Sequence, residues 1–426
     1  MDLVVKPFSA LRYNYEAGLD PNLLLTQPYD KITPADQEAY YQKSPYNVIR
    51  LILGSEKDPL PAKDFYERSA KYLELWKKEN ILLQDSKPAF YVYHQTFQYG
   101  GVQGVRKGFI GLSKLYDYAD KVIYPHERTL SGPKEDRLKL LKSTQTHFGQ
   151  IFLMYEDPQQ AINQLLGNAI SEKNKLLTAT DQYQTTHEVW KVDDAAVVTE
   201  VQNLMKSKKL VIADGHHRYE SALNYSKMPN ASGSNGYVMG TFVNTSDLLI
   251  LPTHRLVHSL KFYDLKMMLD KLQLFFEIKE LAANGVEKIK AALKSISGKS
   301  FEFILVDRTA KVFHLKALDP QALRQVLQTE VGELKDLDVV VLHQLIFQKI
   351  LEISVEAQAL KTNLDYFREV EDGLEHLFDK NGQCLFLINP CTIEQTFAVA
   401  KAGGSMPQKS TDFFPKMLTG LVFYSL

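Results

Sequence analysis

The sequence predicts an α/β (α+β) protein with mixed sheets, arranged in at least two lobes. Two observations predict it. Short apolar runs such as "QIFLMY" and "KLVIA" stand between turn signals and alternate with longer segments of helical apolar period. At 426 residues the chain also exceeds one ordinary core and matches two or three domains. The expected division is an N-terminal α/β region over 1–118, a core over 119–260 and a C-terminal α/β lobe over 261–426.

In order along the chain, Thr33 and Pro34 signal a capped helix start, and the aliphatic run Val48–Leu53 predicts a strand. Lys63–Glu79 carries Phe65, Tyr72, Leu73 and Trp76 at helical spacing. Two β-rich runs flank Gly100, Gly101 and Gly104; without a following helix or P-loop lysine they read as a hairpin rather than a phosphate cradle. A strand is expected at Lys121–Tyr124, then a helix opening at Ser131-Gly132-Pro133 and the strand "QIFLMY". Residues 158–209 read as helical apart from the strand "THEVWKV". "KLVIA" then leads into a helix over 217–226, a loop over "MPNASGSNG" and strands at Tyr237–Val243 and Leu248–Leu251. Beyond 260, helix–strand–helix text precedes the hairpin "SFEFILVDRTAKVFHLKAL" with its turn at Asp307–Arg308. Two amphipathic helices follow, "VVVLHQLIFQKIL" and "TIEQTFAVAKAGG"; the second has a Thr392–Gln395 capping box.

A formal net charge of −1 argues against nucleic acid and anionic membranes as partners. Two cysteines, Cys384 and Cys391, exclude a disulfide framework and a multi-thiolate zinc site. The first residues lack a signal-peptide pattern, and no apolar run approaches the ~18–20 residues of a membrane span. A cytoplasmic protein is expected.

The chemistry concentrates in "VIADGHHRYESAL" over 211–223. A helix N-terminus carries roughly half a positive charge and up to four unpaired N–H groups, so His216, His217 and Arg218 are misplaced there unless an anion joins them. Gly215 would let backbone approach that anion, the amides of 215–217 would face it and Arg218 would neutralise it; phosphate is the usual guest. Asp214 could hold magnesium or orient a histidine. The plainer alternative has Asp214 capping the helix and pairing with Arg218. That account leaves both histidines unexplained, and adjacent histidines make poor co-ligands for zinc.

Two further segments qualify. In "YPHERT", His126, Glu127 and Arg128 lie in a strand-to-helix loop where a carboxylate could take a proton from a hydroxyl, or simply form a surface ion pair. In "MPQKSTDFFPKM", Lys409, Ser410, Thr411 and Lys416 could bind phosphate oxygens or form a solvated turn. His254 and Arg255, after a strand, are open to either reading.

Taken together, "VVKPFSALRYN", "PYDKI", "HERT" with "KEDRLKLL", "IFLMYED", "ADGHHRYESAL", "LPTHRL" and "MPQKSTDFFPKMLTGLV" resemble one family across nearly the whole chain, the domain of unknown function family numbered 1015. The core from about 120 to 225 also resembles the fold of ParB-type nucleotide-binding domains, sulfiredoxin and free serine kinases, resting on "DGHHR" and an upstream glutamate. The chain has His216 where sulfiredoxin has cysteine, and it lacks the paired arginines of ParB-type chains. The free serine kinase resemblance implies ATP or ADP as donor, Mg2+, and a small hydroxyl substrate, free L-serine. Glu127 would be the base, with Asp214, His216, His217 and Arg218 serving phosphate and metal. The rival expectations are a non-catalytic nucleotide-binding module and a phosphoesterase.

Overall fold

The computed structural model describes residues 1–129, 131–229 and 236–426. Residues 230–235 of the expected "MPNASGSNG" loop lie outside the described residues. The chain forms two compact units: Met1–Pro125 with Thr129–Leu248 and Pro415–Leu426, and His126–Arg128 with Leu249–Phe414.

The first unit is built on a nine-stranded mixed sheet. Its strands are β1 (Val5–Lys6), β2 (Phe90–Tyr99), β3 (Val102–Lys114), β4 (Ile123–Tyr124), β5 (Ile151–Tyr155), β6 (Lys175–Thr180), β7 (Thr186–Val192), β8 (Leu210–Asp214) and β9 (Tyr237–Asn244). The order is β4-β8-β5-β9-β3-β2-β7-β6, with β1 on β3; β4/β8 and β5/β9 are parallel and the remaining pairs antiparallel. The sheet takes strands from both sides of residue 118. The glycine cluster is a hairpin turn: Gly100 and Gly101 have φ 57° and 81°, the left-handed pair that a two-residue turn of this twist requires.

The two faces of this sheet differ in chemistry. Phe90, Val92, Phe109, Ile151, Leu153, Ile212 and Phe242 face a core closed by helices that include Ala161–Ala169 and Ala195–Lys206. Side chains alternate along a strand, so the other face carries Asp214, Phe152 and Thr241 in one cross-strand row and His187, Gln95 and Arg106 in another. That second row is a buried polar network. His187 Nδ1 lies 2.7 Å from the Tyr93 hydroxyl, its Nε2 lies 3.3 Å from Asp181, and Arg106 Nε donates to Gln95 Oε1 at 2.9 Å.

Several expectations meet their elements directly. Thr33 caps Pro34–Lys43 with a capping box to Asp36, and Asp64 caps the helix Phe65–Lys78, which buries Tyr72, Leu73 and Trp76. Two expectations fail here. Val48–Leu53 is not a strand: Asn47 Oδ1 accepts from Ile49 N–H at 2.9 Å, and Ile49–Ile52 forms one helical turn packed with Tyr72, Leu73 and Trp76. Within the expected helical stretch 158–209, Lys175–Thr180 is a strand that buries alternate residues Leu177 and Ala179 against β7.

The second unit holds an antiparallel six-stranded sheet of β10 (His254–His258), β11 (Phe276–Leu281), β12 (Glu302–Asp307), β13 (Val312–Ala317), β14 (Leu364–Phe367) and β15 (Gly382–Leu387), in the order β11-β13-β12-β15-β10-β14. Thr392 and Gln395 make the expected capping box. The expected amphipathic helix at 339–351 forms as a helical segment over Val341–Ile350 that buries Val341, Leu342, His343, Leu345, Ile346, Phe347 and Ile350 and leaves Lys349 exposed. Cys384 and Cys391 are free and buried.

Candidate functional site: a cation cluster at a strand–glycine–helix junction

Strand β8 ends at Asp214, and the helix His216–Ser226, named α1 here, starts two residues later. Gly215 makes the turn at φ 95°, a left-handed conformation open to glycine at little cost. A Cβ added there would also lie 3.1 Å from the Arg218 guanidinium. Asp214 is not the N-cap residue of α1: that position falls to Gly215, which has no side chain to cap the helix with. The capping account of the motif therefore fails, whereas its ion pair survives, with Arg218 Nη2 at 3.8 Å from Asp214 Oδ1.

The carboxylate has more than one cation around it. Lys416 Nζ lies 3.6 Å from Asp214 Oδ2. Burial alone would raise the Asp214 pKa, but Lys416, Arg218, Lys31 and His216 outweigh it and hold the group well below the usual carboxylate range. Arg106, on the same sheet face, is fully buried; burial pushes its pKa down to about 9 against the support of Tyr93 and Asp214. Its guanidinium sits 4.8 Å over the Phe152 ring, and Phe152 is the cross-strand partner of Asp214. One carboxylate thus shares its surroundings with two lysines and two arginines, and the first N–H groups of α1 add to the same sign.

Lys416 is brought in by a strap of main chain over the polar face. Arg106 Nη2 donates to the Pro415 carbonyl, Gln95 Nε2 donates to the Lys416 carbonyl at 2.8 Å, and the Tyr93 hydroxyl accepts from Leu418 N–H at 3.4 Å. Arg218 is fixed from the opposite side, donating through Nη1 to the Gln150 carbonyl. His216 is buried, while His217 and Arg218 are half-buried.

The remaining expected residues belong to the second unit. His126 Nε2 lies 3.0 Å from Thr411 Oγ1, the His126 carbonyl accepts from Met406 N–H at 2.8 Å, and Glu127 bridges to Met406. Arg128 pairs with Glu330. Ser410 Oγ donates to the Pro407 carbonyl at 2.6 Å, and the Lys409 carbonyl accepts from the buried Arg255 at 2.9 Å. "HERT" and "MPQKST" are thus two sides of one cluster, with Arg255 under it. His254 and Arg255 lie inside strand β10 rather than after a strand, and both are buried.

Sequence reasoning missed Lys31, Gln95 and Arg106. Lys31 sits in "PYDKI", which entered only as a family segment, and the other two lie in a hairpin whose pairing alone reveals their shared face. Among the described residues, no three His, Cys, Asp or Glu side chains gather as metal ligands. Asp214, already matched by Lys416 and Arg218, does not fit a magnesium ion held by the protein alone. Among the described residues, no helix is long and apolar enough to cross a membrane.

The fold and this junction define a two-unit α/β protein with a cationic cluster at the end of the strand next to one sheet edge. The chain belongs to the family described as protein of unknown function DUF1015, which it matches over residues 5–340. No curated protein matches it. Among solved structures it is similar to a conserved hypothetical protein from Pyrococcus furiosus, at 15% identity over 71% of this chain and 93% of that one, TM-score 0.34. It is similar to a free serine kinase in complex with AMP, at 15% identity over 71% of this chain and 89% of that one, TM-score 0.34. A C-terminally truncated SbnI from Staphylococcus aureus aligns at 12% identity over 74% of this chain and 86% of that one, TM-score 0.35.

Proposed function

We propose that the protein is a small-molecule kinase that transfers a phosphoryl group from ATP or ADP to a hydroxyl, with free L-serine as the acceptor. The observation that supports this reading is the excess of cation around Asp214 at the start of α1. Lys416 and Arg218 lie within 4 Å of a single carboxylate, and Lys31 and Arg106 add their fields. A phosphate there would complete the charge balance and sit at the positive end of the helix dipole.

Phosphoryl transfer asks for positioning and charge neutralisation more than covalent chemistry from the protein. The serine hydroxyl oxygen attacks the terminal phosphorus of the donor. A new P–O bond forms, the bond to the departing ADP (or AMP) breaks, and the hydroxyl proton passes to a base. The "HERT" resemblance nominates Glu127 as that base. Any magnesium would arrive on the nucleotide.

The test is incubation of the protein with L-serine, magnesium and either ATP or ADP, with O-phosphoserine read by mass spectrometry. Product is expected from the wild type and lost in Glu127→Gln at unchanged folding. Nucleotide binding that needs Arg218 without any phosphorylated product would favour the regulatory module; release of phosphate from phosphoserine without donor would favour the phosphoesterase.

A further inference from the structure

A pocket with a cavity volume of about 60 Å³ opens in the first unit beside the Arg218 side chain. One wall is apolar, with Leu141 and Phe148; another carries Tyr29, whose ring lies 4.1 Å from the Arg137 guanidinium. Ser221 of α1 also lines it; its single hydroxyl proton is taken up by the His217 carbonyl at 2.7 Å, with the Lys134 carbonyl 2.9 Å away, and its lone pairs keep capacity for a ligand donor.

Two guanidiniums line this small space. Arg137 uses Nε and Nη2 on Asp136 and Nη1 on the Ile52 carbonyl, which leaves two of its five N–H groups for another acceptor. Arg218 lines the pocket while belonging to the helix-end cluster. One water needs ~10–15 Å³ of such cavity, so the pocket seats about four to six waters or a ligand fragment of similar bulk. That suits a chain of three or four carbons better than a nucleobase or an aromatic side chain.

We infer that this pocket holds the organic part of a three- or four-carbon anionic metabolite, with its carboxylate or phosphate on Arg137 and Arg218. The inference rests on the kinase reading in giving Arg218 an anionic partner, and it names the size and the anionic group of the acceptor, a class that includes L-serine through its carboxylate.

Calorimetric titration tests it with four probes: glycerate, glycerol 3-phosphate, phenyllactate and inorganic pyrophosphate. Wild type should bind glycerate or glycerol 3-phosphate, the tighter of the two identifying the anion, and should bind phenyllactate at least 10-fold more weakly than glycerate. Leu141→Phe, which fills the pocket, should weaken the three-carbon ligand at least 10-fold and leave pyrophosphate unchanged. The inference is overturned if neither three-carbon anion binds, if phenyllactate binds as well as glycerate, or if Leu141→Phe has no effect. The size comparison needs only the wild type and does not depend on how the variant folds. Failure of pyrophosphate alone would count against the helix-end phosphate site and leave the pocket standing.

Discussion

Lys416 Nζ stands 3.6 Å from Asp214 Oδ2, joining the end of a sheet strand to a residue far along the chain. With Arg218 on the other carboxylate oxygen, this pair sets the charge of the junction. An anion bound there would exchange contacts with both cations, so each should be visible in affinity.

Lys416→Ala and Arg218→Ala are each expected to weaken pyrophosphate binding by about 10–100-fold. This is the loss of one hydrogen bond to a charged group, about 1.5–3 kcal/mol. Titration at several salt concentrations checks it, and both variants should also show a shallower salt dependence.

Because Arg106 holds the Pro415 carbonyl, Arg106→Met should release the strap and lower pyrophosphate affinity through Lys416. In a double-mutant cycle, Arg106→Met should then cost little further affinity in a Lys416→Ala background. Full additivity would show that Arg106 does not act through Lys416.

Asp214 is held ionised by its cations, so its ion pairs should persist from pH 8 down to 5. The sign follows from a folded pKa below the unfolded one: the stability is present above the unfolded value and disappears only as acid reaches the folded value. Asp214→Asn should therefore lose stability relative to wild type by a constant amount over that range, read by urea unfolding.

Asp338 has the opposite sign. Burial raises its pKa to about 7, against the hydrogen bond it accepts from Phe301 N–H at 2.6 Å. The folded form binds the proton more tightly than the unfolded one, so this contribution is present below about pH 4 and lost as pH rises toward 7. Asp338→Asn should flatten that part of the stability profile, as measured by thermal unfolding at half-unit pH steps.

Gly215→Ala should cost about 1–2 kcal/mol of stability from its left-handed backbone. It should also weaken pyrophosphate, because the new methyl group would meet the Arg218 guanidinium. Urea unfolding and titration separate the two effects.

The strand–glycine–helix junction was legible because its parts are adjacent: an apolar run, a glycine and a change of period fall within a dozen residues. Capped helices such as Pro34–Lys43 were legible for the same reason. Val48–Leu53 misled because an aliphatic run has no period of its own, and the bond from Ile49 N–H to Asn47 Oδ1 with packing on Trp76 decided it. Lys175–Thr180 was hidden because only its pairing with β7 makes its weak alternation useful. Lys416 could be picked out as a basic residue, yet its partner could not, since that depends on Gln95 and Arg106 meeting across a hairpin. Lys31 carried no local signal at all.

The first unit is interrupted in the chain by residues 249–414, and its strap comes after them. During synthesis the sheet can therefore form while Arg106 and Gln95 still lack their carbonyl partners. Asp214 then meets Lys416 only after the whole second unit has been translated. The junction reaches its final charge late, so a nascent chain stalled before residue 415 would carry the helix start without its lysine.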